Sequence, residues 1–192
     1  MIVLISASPR RRELLSSLTK NVIFDASSVA EPMDEKDPKS LVLKSARLKL
    51  EDRKDYHTKG ILLACDTLVS TGEVLGKPKD KEDARRMLSN LSGTWHEVHS
   101  SFVLLDKETG HYAEDVVTTK VHFSSLSEEQ IENYLGTGEY TDKAGAYGIQ
   151  GYGGLLIEGI EGDYFNVMGL PLNRLYHLLL EEFNYDLMKP SS

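Results

Sequence analysis

The sequence predicts an α/β fold in which helices flank a mixed, twisted sheet. Buried strands alternate with amphipathic helices in the first half of the chain, a long β-hairpin occupies the middle, and an amphipathic helix closes the fold. The chain has 192 residues, enough to bury a sizeable core but too few for several independent domains. We therefore expect a single domain over residues 1–192.

Apolar runs and helix start signals define the elements of the first half. The run IVLI at residues 2–5 predicts a strand buried on both faces. Ser8 followed by Pro9 predicts the start of a helix that ends near Lys20. The next predicted elements are a strand over 21–31, a helix over 38–53, a buried strand over 61–65 and a helix from Asp80 to Gly93.

The second half contains a hairpin, a glycine-rich loop and the closing helix. Residues 95–123 read as two strands around the turn DKETG, and Ser127 with Gln130 forms a capping box that begins a helix through Leu135. Residues 136–154 hold seven glycines without a steady hydrophobic period. A loop of this length inside a domain is usually functional or mobile. The last predicted elements are a strand pair over 155–164 and a helix over 170–183.

Composition excludes several classes of protein. The net charge of -8 argues against a protein that coats nucleic acid through phosphate contacts. No apolar run approaches the roughly 20 residues of a membrane span, and the run from Met1 to Ile5 meets Ser6 too early for a signal peptide. The single cysteine, Cys65, forbids an intrachain disulfide and a four-cysteine zinc site, so we expect a cytoplasmic protein.

Three consecutive arginines, Arg10 to Arg12, fall in the first turn of the first predicted helix. Cations at the positive end of a helix dipole disfavour the helix by about 0.3–1 kcal/mol each at an exposed site. A strand, a short polar loop and a helix N-terminus together form a geometry that binds phosphate, and Ser8 adds a hydroxyl group. The arginines therefore either bind a phosphate or belong to the solvated surface beside acids such as Glu13. Of the three, Arg10 and Arg11 are expected to contact the ligand, whereas Arg12, one step further round the helix, is expected to lie in solvent or to pair with an acid.

Asp66 and Thr67 follow the buried strand that ends at Cys65. Open α/β sheets place their sites at the carboxyl ends of strands, so Asp66 could hold a metal or activate a water, and Thr67 could donate a hydrogen bond to a ligand. An ordinary turn at Asp66 is the alternative.

The segment DKAGAYGIQG combines Lys143 with glycines and with the amide of Gln150. An amide offers both a donor and an acceptor to the edge of a base. A mobile surface loop is the alternative interpretation. Isolated bases such as Lys49 and Lys77 are, from their type alone, expected to lie in solvent.

Several segments, taken together and in their order along the chain, resemble the Maf family of nucleoside triphosphate pyrophosphatases. They are SASPRRRELL, CDTLV with GEVLGKP, TTKVHF, and DKAGAYGIQG with GDYFNVMGLP. The resemblance covers nearly the whole chain. It implies hydrolysis of a nucleoside triphosphate to the monophosphate and pyrophosphate with a divalent cation, Mg²⁺ or Mn²⁺. It also implies two lobes around a cleft, a fold like that of the inosine triphosphate pyrophosphatases, and in many members a homodimer.

At positions 149 and 150 the sequence has Ile and Gln, and it there resembles the branch that acts on dTTP and UTP. The 7-methyl-GTP branch carries a serine and a glutamate at these positions. The resemblance makes Asp66 the general base, although a role as metal ligand stays open, and Glu31 the acid that holds the metal. The positions matched to substrate binding are Ser8, Arg10, Arg11, Lys49, Thr67, Lys77 and Gln150, to which we add Lys143. Two departures from the family pattern are Cys65 in place of alanine and Ala30 in place of an acid.

Two alternatives remain open for the function. A non-catalytic regulator of cell division that binds a nucleotide or nucleic acid is the first. The second is an enzyme whose main substrate is a modified pyrimidine triphosphate.

Overall fold

A seven-stranded mixed sheet forms the frame of the protein in a computed structural model that describes residues 1–30, 32 and 35–189. The strands are β1 (Ile2–Ile5), β2 (Val22–Asp25), β3 (Ile61–Ser70), β4 (Val74–Leu75), β5 (Trp95–Asp106), β6 (Tyr112–Phe123) and β7 (Ile157–Glu161). The α-helices are α1 (Pro9–Leu18), α2 (Pro38–Arg53), α3 (Lys81–Leu91), α4 (Glu128–Gly136), α5 (Tyr164–Met168) and α6 (Leu172–Phe183).

The order of strands in the sheet is β2-β1-β3-β5-β6-β7, and β4 pairs with β3 off this path. β1 runs parallel to both of its neighbours, with Ile2 opposite Val22 in β2 and Ile61 in β3. The pairs β3–β4 and β6–β7 are antiparallel. The predicted mixed α/β sheet is therefore confirmed, and the predicted hairpin corresponds to β5 and β6.

The chain divides into two compact units, each with its own core. The first unit consists of residues 1–66, 100–117 and 169–192, and the second of residues 67–99 and 118–168. The first unit has a core cluster of Val3, Ile5, Ala46, Leu50, Leu62, Ala64 and Val103. The second unit's core cluster includes Leu75, Leu88, Val98, Phe123, Ile131, Leu135 and Tyr147. That residues 1–192 behave as one domain stays a prediction.

Polar caps begin the helices where the sequence places them. Ser127 Oγ accepts the amide of Gln130, and the Gln130 side chain accepts the amide of Ser127, so the predicted capping box is present. Asp80 caps α3 through its carboxylate, which accepts the amide of Asp83. Ser8 stands at the N-cap of α1 and Pro9 follows it, but the Ser8 side chain makes no capping hydrogen bond.

Three predicted strands have different bounds in the structure. β2 ends at Asp25 rather than at residue 31, because its partner β1 offers only the four residues 2–5 to pair with. The second strand expected within 155–164 is absent from this described segment: Asp163 accepts the amide of Phe165 and begins α5 instead. β3 continues past Cys65 to Ser70, where β4 provides an antiparallel partner.

Within the described residues, none of the helices combines the length and the apolar character that a membrane crossing needs.

Candidate active site

A polar loop between β1 and α1 joins the carboxyl ends of two parallel strands in the first unit. The amide of Ser6 donates to the carbonyl of Asp25 at the end of β2, 2.9 Å away. Ser6 is buried, and its Oγ accepts the amide of Ser8 and a guanidinium nitrogen of Arg11, each at 3.2 Å. Ser8 and Arg10 are both half-buried at the start of α1. The loop is thus fixed from inside by Ser6.

Arg11 is a buried arginine, with 8% of its surface exposed. Its Nε donates to the carbonyl of Gly169 at 2.7 Å, and its Nη1 donates to the carbonyl of Cys65 at 3.3 Å as well as to Ser6. These bonds hold the start of α1 against the residue that precedes Asp66. The sequence did not predict these buried acceptors, and the contact of Arg11 with phosphate stays a prediction.

Arg12 contacts the polar loop and an aromatic ring instead of lying in solvent, and none of the acids that the structure describes pairs with it. Its Nε donates to the carbonyl of Ser6 at 2.9 Å, and its guanidinium lies 5.5 Å from the centre of the Phe24 ring. The strand β2 supplies this aromatic face, and a planar cation stacks on it favourably. Arg12 therefore stabilises the polar loop through the backbone of Ser6, whereas Arg11 contacts the Ser6 side chain.

Asp66 and Lys49 form an ion pair in the first unit. Lys49 Nζ on α2 lies 2.7 Å from Asp66 Oδ1, and the side chains are 14% and 13% exposed. Asp66 lies inside β3 rather than after its end, but just beyond residues 61–64, the part that pairs with β1. The structure thus brings two of the predicted site residues together, and it overturns the expectation that an isolated Lys49 lies in solvent.

An ionic cluster around Asp25 was not predicted from the sequence. Two nitrogens of Arg53 approach the two carboxylate oxygens of Asp25 at 3.0 and 2.6 Å, and His57 Nε2 lies 2.8 Å away. The hydrogen bonds from Arg53 hold the pKa of Asp25 far below its usual range. The cluster ties the end of β2 to the end of α2. Its only signal in the sequence is an acid that directly follows the apolar run of a strand parallel to β1.

The remaining predicted substrate-binding residues lie in the second unit. Thr67 is half-buried in β3, Lys77 is exposed, and Lys143 and Gln150 are half-buried in the glycine-rich segment. The amide of Gly145 donates to the carbonyl of Gly76 at 3.0 Å, so the structure places the chain just before Lys77 beside that segment. Gln150 has no hydrogen bond from its amide side chain to any residue that the structure describes.

The glycine-rich segment is a chain of short 3-10 turns at Glu139–Asp142, Ala144–Ala146 and Gly151–Leu156. Lys143 is occupied within it: its ammonium bonds to the carbonyl of Glu139 and, at 2.8 Å, to the carboxylate of Asp142. The binding of substrate by Lys143 stays a prediction, and any such binding would have to compete with these two oxygens.

A buried pair, His96 and Tyr147, anchors the middle of the segment to β5. Tyr147 Oη lies 2.6 Å from His96 Nε2, and both residues are buried. Burial raises the pKa of Tyr147 far above its usual range and lowers the pKa of His96 to about 4. Both side chains are therefore neutral near pH 7.

The neutral state of His96 predicts a loss of stability in mild acid. An unfolded chain takes up a proton on this histidine below about pH 6.5, whereas the folded chain does so only near pH 4. The free energy of unfolding should fall as the pH drops through this window, by up to about 3 kcal/mol. Urea unfolding between pH 7.5 and pH 5 measures about 2 kcal/mol of this loss, in a range that lies above the usual pKa values of carboxylates.

A matched pair of variants isolates the contribution of His96. His96→Gln should flatten the pH dependence, and His177→Gln, at an exposed histidine, should leave it unchanged. Equal slopes in the wild type and in His96→Gln would contradict the assignment.

The donors for a metal are incomplete in the part of the chain that the structure describes. Within residues 1–30, 32 and 35–189, no group of three or more His, Cys, Asp or Glu side chains could hold a metal ion. Glu31, the predicted metal residue, lies outside the described residues. Asp66 is nevertheless the kind of ligand that Mg²⁺ takes, since that ion is commonly held by one or two carboxylates together with substrate phosphates.

Comparisons with known proteins agree on the family. The family model described as Maf-like protein matches residues 1–182, and the chain belongs to this family. A dTTP/UTP pyrophosphatase of Clostridium acetobutylicum is 44% identical over 191 residues, covering 93% of this chain and 96% of that protein. A dTTP/UTP pyrophosphatase of Clostridium kluyveri is 47% identical over 186 residues, covering 93% and 95%.

Two further comparisons concern a relative from Pyrococcus furiosus and a solved structure. A dTTP/UTP pyrophosphatase of Pyrococcus furiosus is 44% identical over 172 residues, covering 89% of this chain and 90% of that protein. Among solved structures, the Ham1 protein of Staphylococcus aureus superposes with a TM-score of 0.46 at 12% identity, over 64% of this chain and 71% of that chain.

Proposed function

We propose that this protein is a nucleotide diphosphatase that hydrolyses dTTP and UTP to the monophosphate and pyrophosphate. The observation that carries the proposal is the bond from Arg11 to the carbonyl of Cys65, which sets the arginine-bearing start of α1 next to Asp66 in the first unit. Relatives at 44% and 47% identity that bear the name dTTP/UTP pyrophosphatase support the substrate class.

In this proposal Asp66 orients and deprotonates the water that attacks the α-phosphorus. Hydrolysis of this kind depends mainly on positioning and on stabilising negative charge, because the protein has little covalent chemistry to do. Lys49 holds the carboxylate of Asp66 by the 2.7 Å contact described above. The proposed substrate-binding residues are Ser8, Arg10, Arg11, Lys49, Thr67, Lys77, Lys143 and Gln150.

A divalent cation, Mg²⁺ or Mn²⁺, completes the proposed site. Glu31 and the phosphate oxygens of the substrate would hold it, and when bound it would neutralise charge on the triphosphate. The protein is proposed to act in the cytoplasm, as a homodimer, without a nucleic-acid partner.

A panel of triphosphates tests the proposal directly. Purified protein with Mg²⁺ or Mn²⁺ should release pyrophosphate from dTTP and UTP faster than from dATP, dGTP, dCTP and 7-methyl-GTP. The panel should include 5-methyl-UTP and pseudo-UTP, because a clear preference for either would make a modified nucleotide the main substrate. Release from none of these compounds would overturn the proposal and favour the non-catalytic regulator, although the net charge of -8 weighs against nucleic acid as its ligand.

Base preference should depend on the pair Ile149 and Gln150. A site that hydrogen-bonds one base edge leaves its polar groups unpaired when the partner is wrong, and such mismatches discriminate strongly. The double substitution I149S/Q150E, which introduces the serine and glutamate of the 7-methyl-GTP branch, should lower kcat/KM for dTTP and UTP by at least about tenfold. The single variant I149S keeps the amide and should behave like the wild type; an unchanged preference in the double variant would contradict the role of Gln150.

A further inference from the structure

We propose that Glu139 is a positioning residue for base recognition: its carboxylate fixes the backbone that follows Gln150. The inference rests on the proposed function, because it assigns Gln150 the reading of the base. It adds a residue that lies eleven positions earlier in the sequence.

Glu139 holds the second half of the glycine-rich segment by its side chain and the first half by its backbone. Its Oε1 accepts the amide of Tyr152 at 3.2 Å, and its Oε2 accepts the amide of Gly153 at 3.3 Å. Its carbonyl accepts the ammonium of Lys143. One residue thus spans the segment in which Gln150 lies.

The bonds act on the backbone two and three residues after Gln150, at Tyr152 and Gly153. Gln150 precedes the turn Gly151–Leu156, and the first amides of such a turn lack partners inside it. The carboxylate of Glu139 accepts two of them, those of Tyr152 and Gly153, and is also favoured by their combined dipoles. Without this carboxylate the start of the turn is not held in place, and the side-chain amide of Gln150 is no longer held in one direction.

The backbone packs closely around the carboxylate of Glu139, and glycines leave the space that this contact needs. Gly151 has a φ of +66°, and a Cβ there would lie 2.5 Å from Glu139 Oε1. A Cβ at Gly148 would lie 2.8 Å from the Lys143 side chain. Glycine at these two positions lets the chain close on Glu139 and Lys143, so the segment is held by side chains within it.

Glu139 is proposed to act through Gln150, because its two carboxylate oxygens are directed at the backbone amides of Tyr152 and Gly153. Its loss should therefore change the choice of base more than the handling of phosphate. A displacement of about 1 Å in a positioning group can cost on the order of a hundredfold. We expect Glu139→Ala to raise KM for dTTP about tenfold or more and to reduce the preference for dTTP over dCTP.

The experiment compares Glu139→Ala, Glu139→Gln and Glu73→Ala in full-length protein. Glu73 is an exposed acid of the same unit, so Glu73→Ala should match the wild type. Glu139→Gln keeps one oxygen acceptor and should recover part of the preference. Inhibition by inorganic pyrophosphate should be the same in all variants, and thermal melting separates these effects from unfolding.

Amide hydrogen exchange measured by NMR adds a readout that needs no turnover. The amides of Tyr152 and Gly153 should exchange faster in Glu139→Ala and at the wild-type rate in Glu73→Ala. Unchanged exchange, or an equal fall of kcat for every triphosphate at constant base preference, would overturn the positioning role. An inactive wild type would instead overturn the proposed function, and the exchange rates would still decide whether Glu139 fixes the turn that follows Gln150.

Discussion

Asp66→Asn is expected to lower kcat for dTTP by about 10²–10⁴-fold, the range that a positioned general base contributes. Asparagine keeps the oxygen that Lys49 contacts at 2.7 Å but cannot accept the proton of the attacking water. The fold should therefore survive, and thermal melting measures what the loss of the ion pair costs. Steady-state release of pyrophosphate at saturating metal measures the effect.

The control for this variant is Asp55→Asn, which removes an exposed carboxylate of the same unit. It should keep the activity of the wild type. Full dTTP hydrolysis by Asp66→Asn would exclude a role of Asp66 as the general base. Titration with Mg²⁺ separates the two roles that the sequence leaves open: recovery of kcat at high Mg²⁺ would make Asp66 a metal ligand, and a low kcat at every concentration supports the base.

The second large effect is expected from Arg11→Ala, and mainly on stability. The change leaves the carbonyls of Gly169 and Cys65 and the hydroxyl of Ser6 without the buried donor that now serves them. Hydrogen bonds to a charged group contribute about 1.5–3 kcal/mol each, so we expect the loss of these three bonds to cost at least about 3 kcal/mol. For a chain of this size each kcal/mol lowers Tm by about 2–4 °C, so calorimetry should show a fall of about 10 °C.

Neighbouring variants separate stability from substrate binding. Arg10→Ala, at a half-buried residue of the same turn, should raise KM for dTTP and change Tm far less. Arg11→Lys keeps the charge but loses the planar fork of donors, so its Tm should fall nearly as far as that of Arg11→Ala. If Arg11→Ala raised KM and kept the wild-type Tm, the buried bonds would have no weight in the fold and Arg11 would act on phosphate alone.

Local patterns predicted the elements, and pairing between distant residues set their limits. The strand at residues 2–5, the start of α1 at Pro9 and the capping box at Ser127 follow from neighbouring residues, and all are confirmed. The predicted β2 was too long, because the end of β2 depends on the length of its partner β1. The residues around β2 carry no information about that length.

The candidate site shows the same division. The resemblance selected Asp66 and Lys49, but their contact joins a strand to a helix across 17 positions of sequence and could not be read from either segment. The ionic cluster at Asp25 likewise joins residues 28 and 32 positions apart. Arg12 was assigned to solvent because helical periodicity gives a direction but does not show that Phe24 lies there.

Cys65, next to the proposed general base, has a consequence for redox chemistry. Its side chain is fully buried, and burial raises the pKa of the thiol to about 11. Near pH 7 only about one molecule in ten thousand would carry the thiolate, which is the form that oxidants and alkylating reagents attack. The thiol beside the proposed general base is thereby kept unreactive, and oxidants or alkylating reagents should not inactivate the proposed hydrolysis through Cys65.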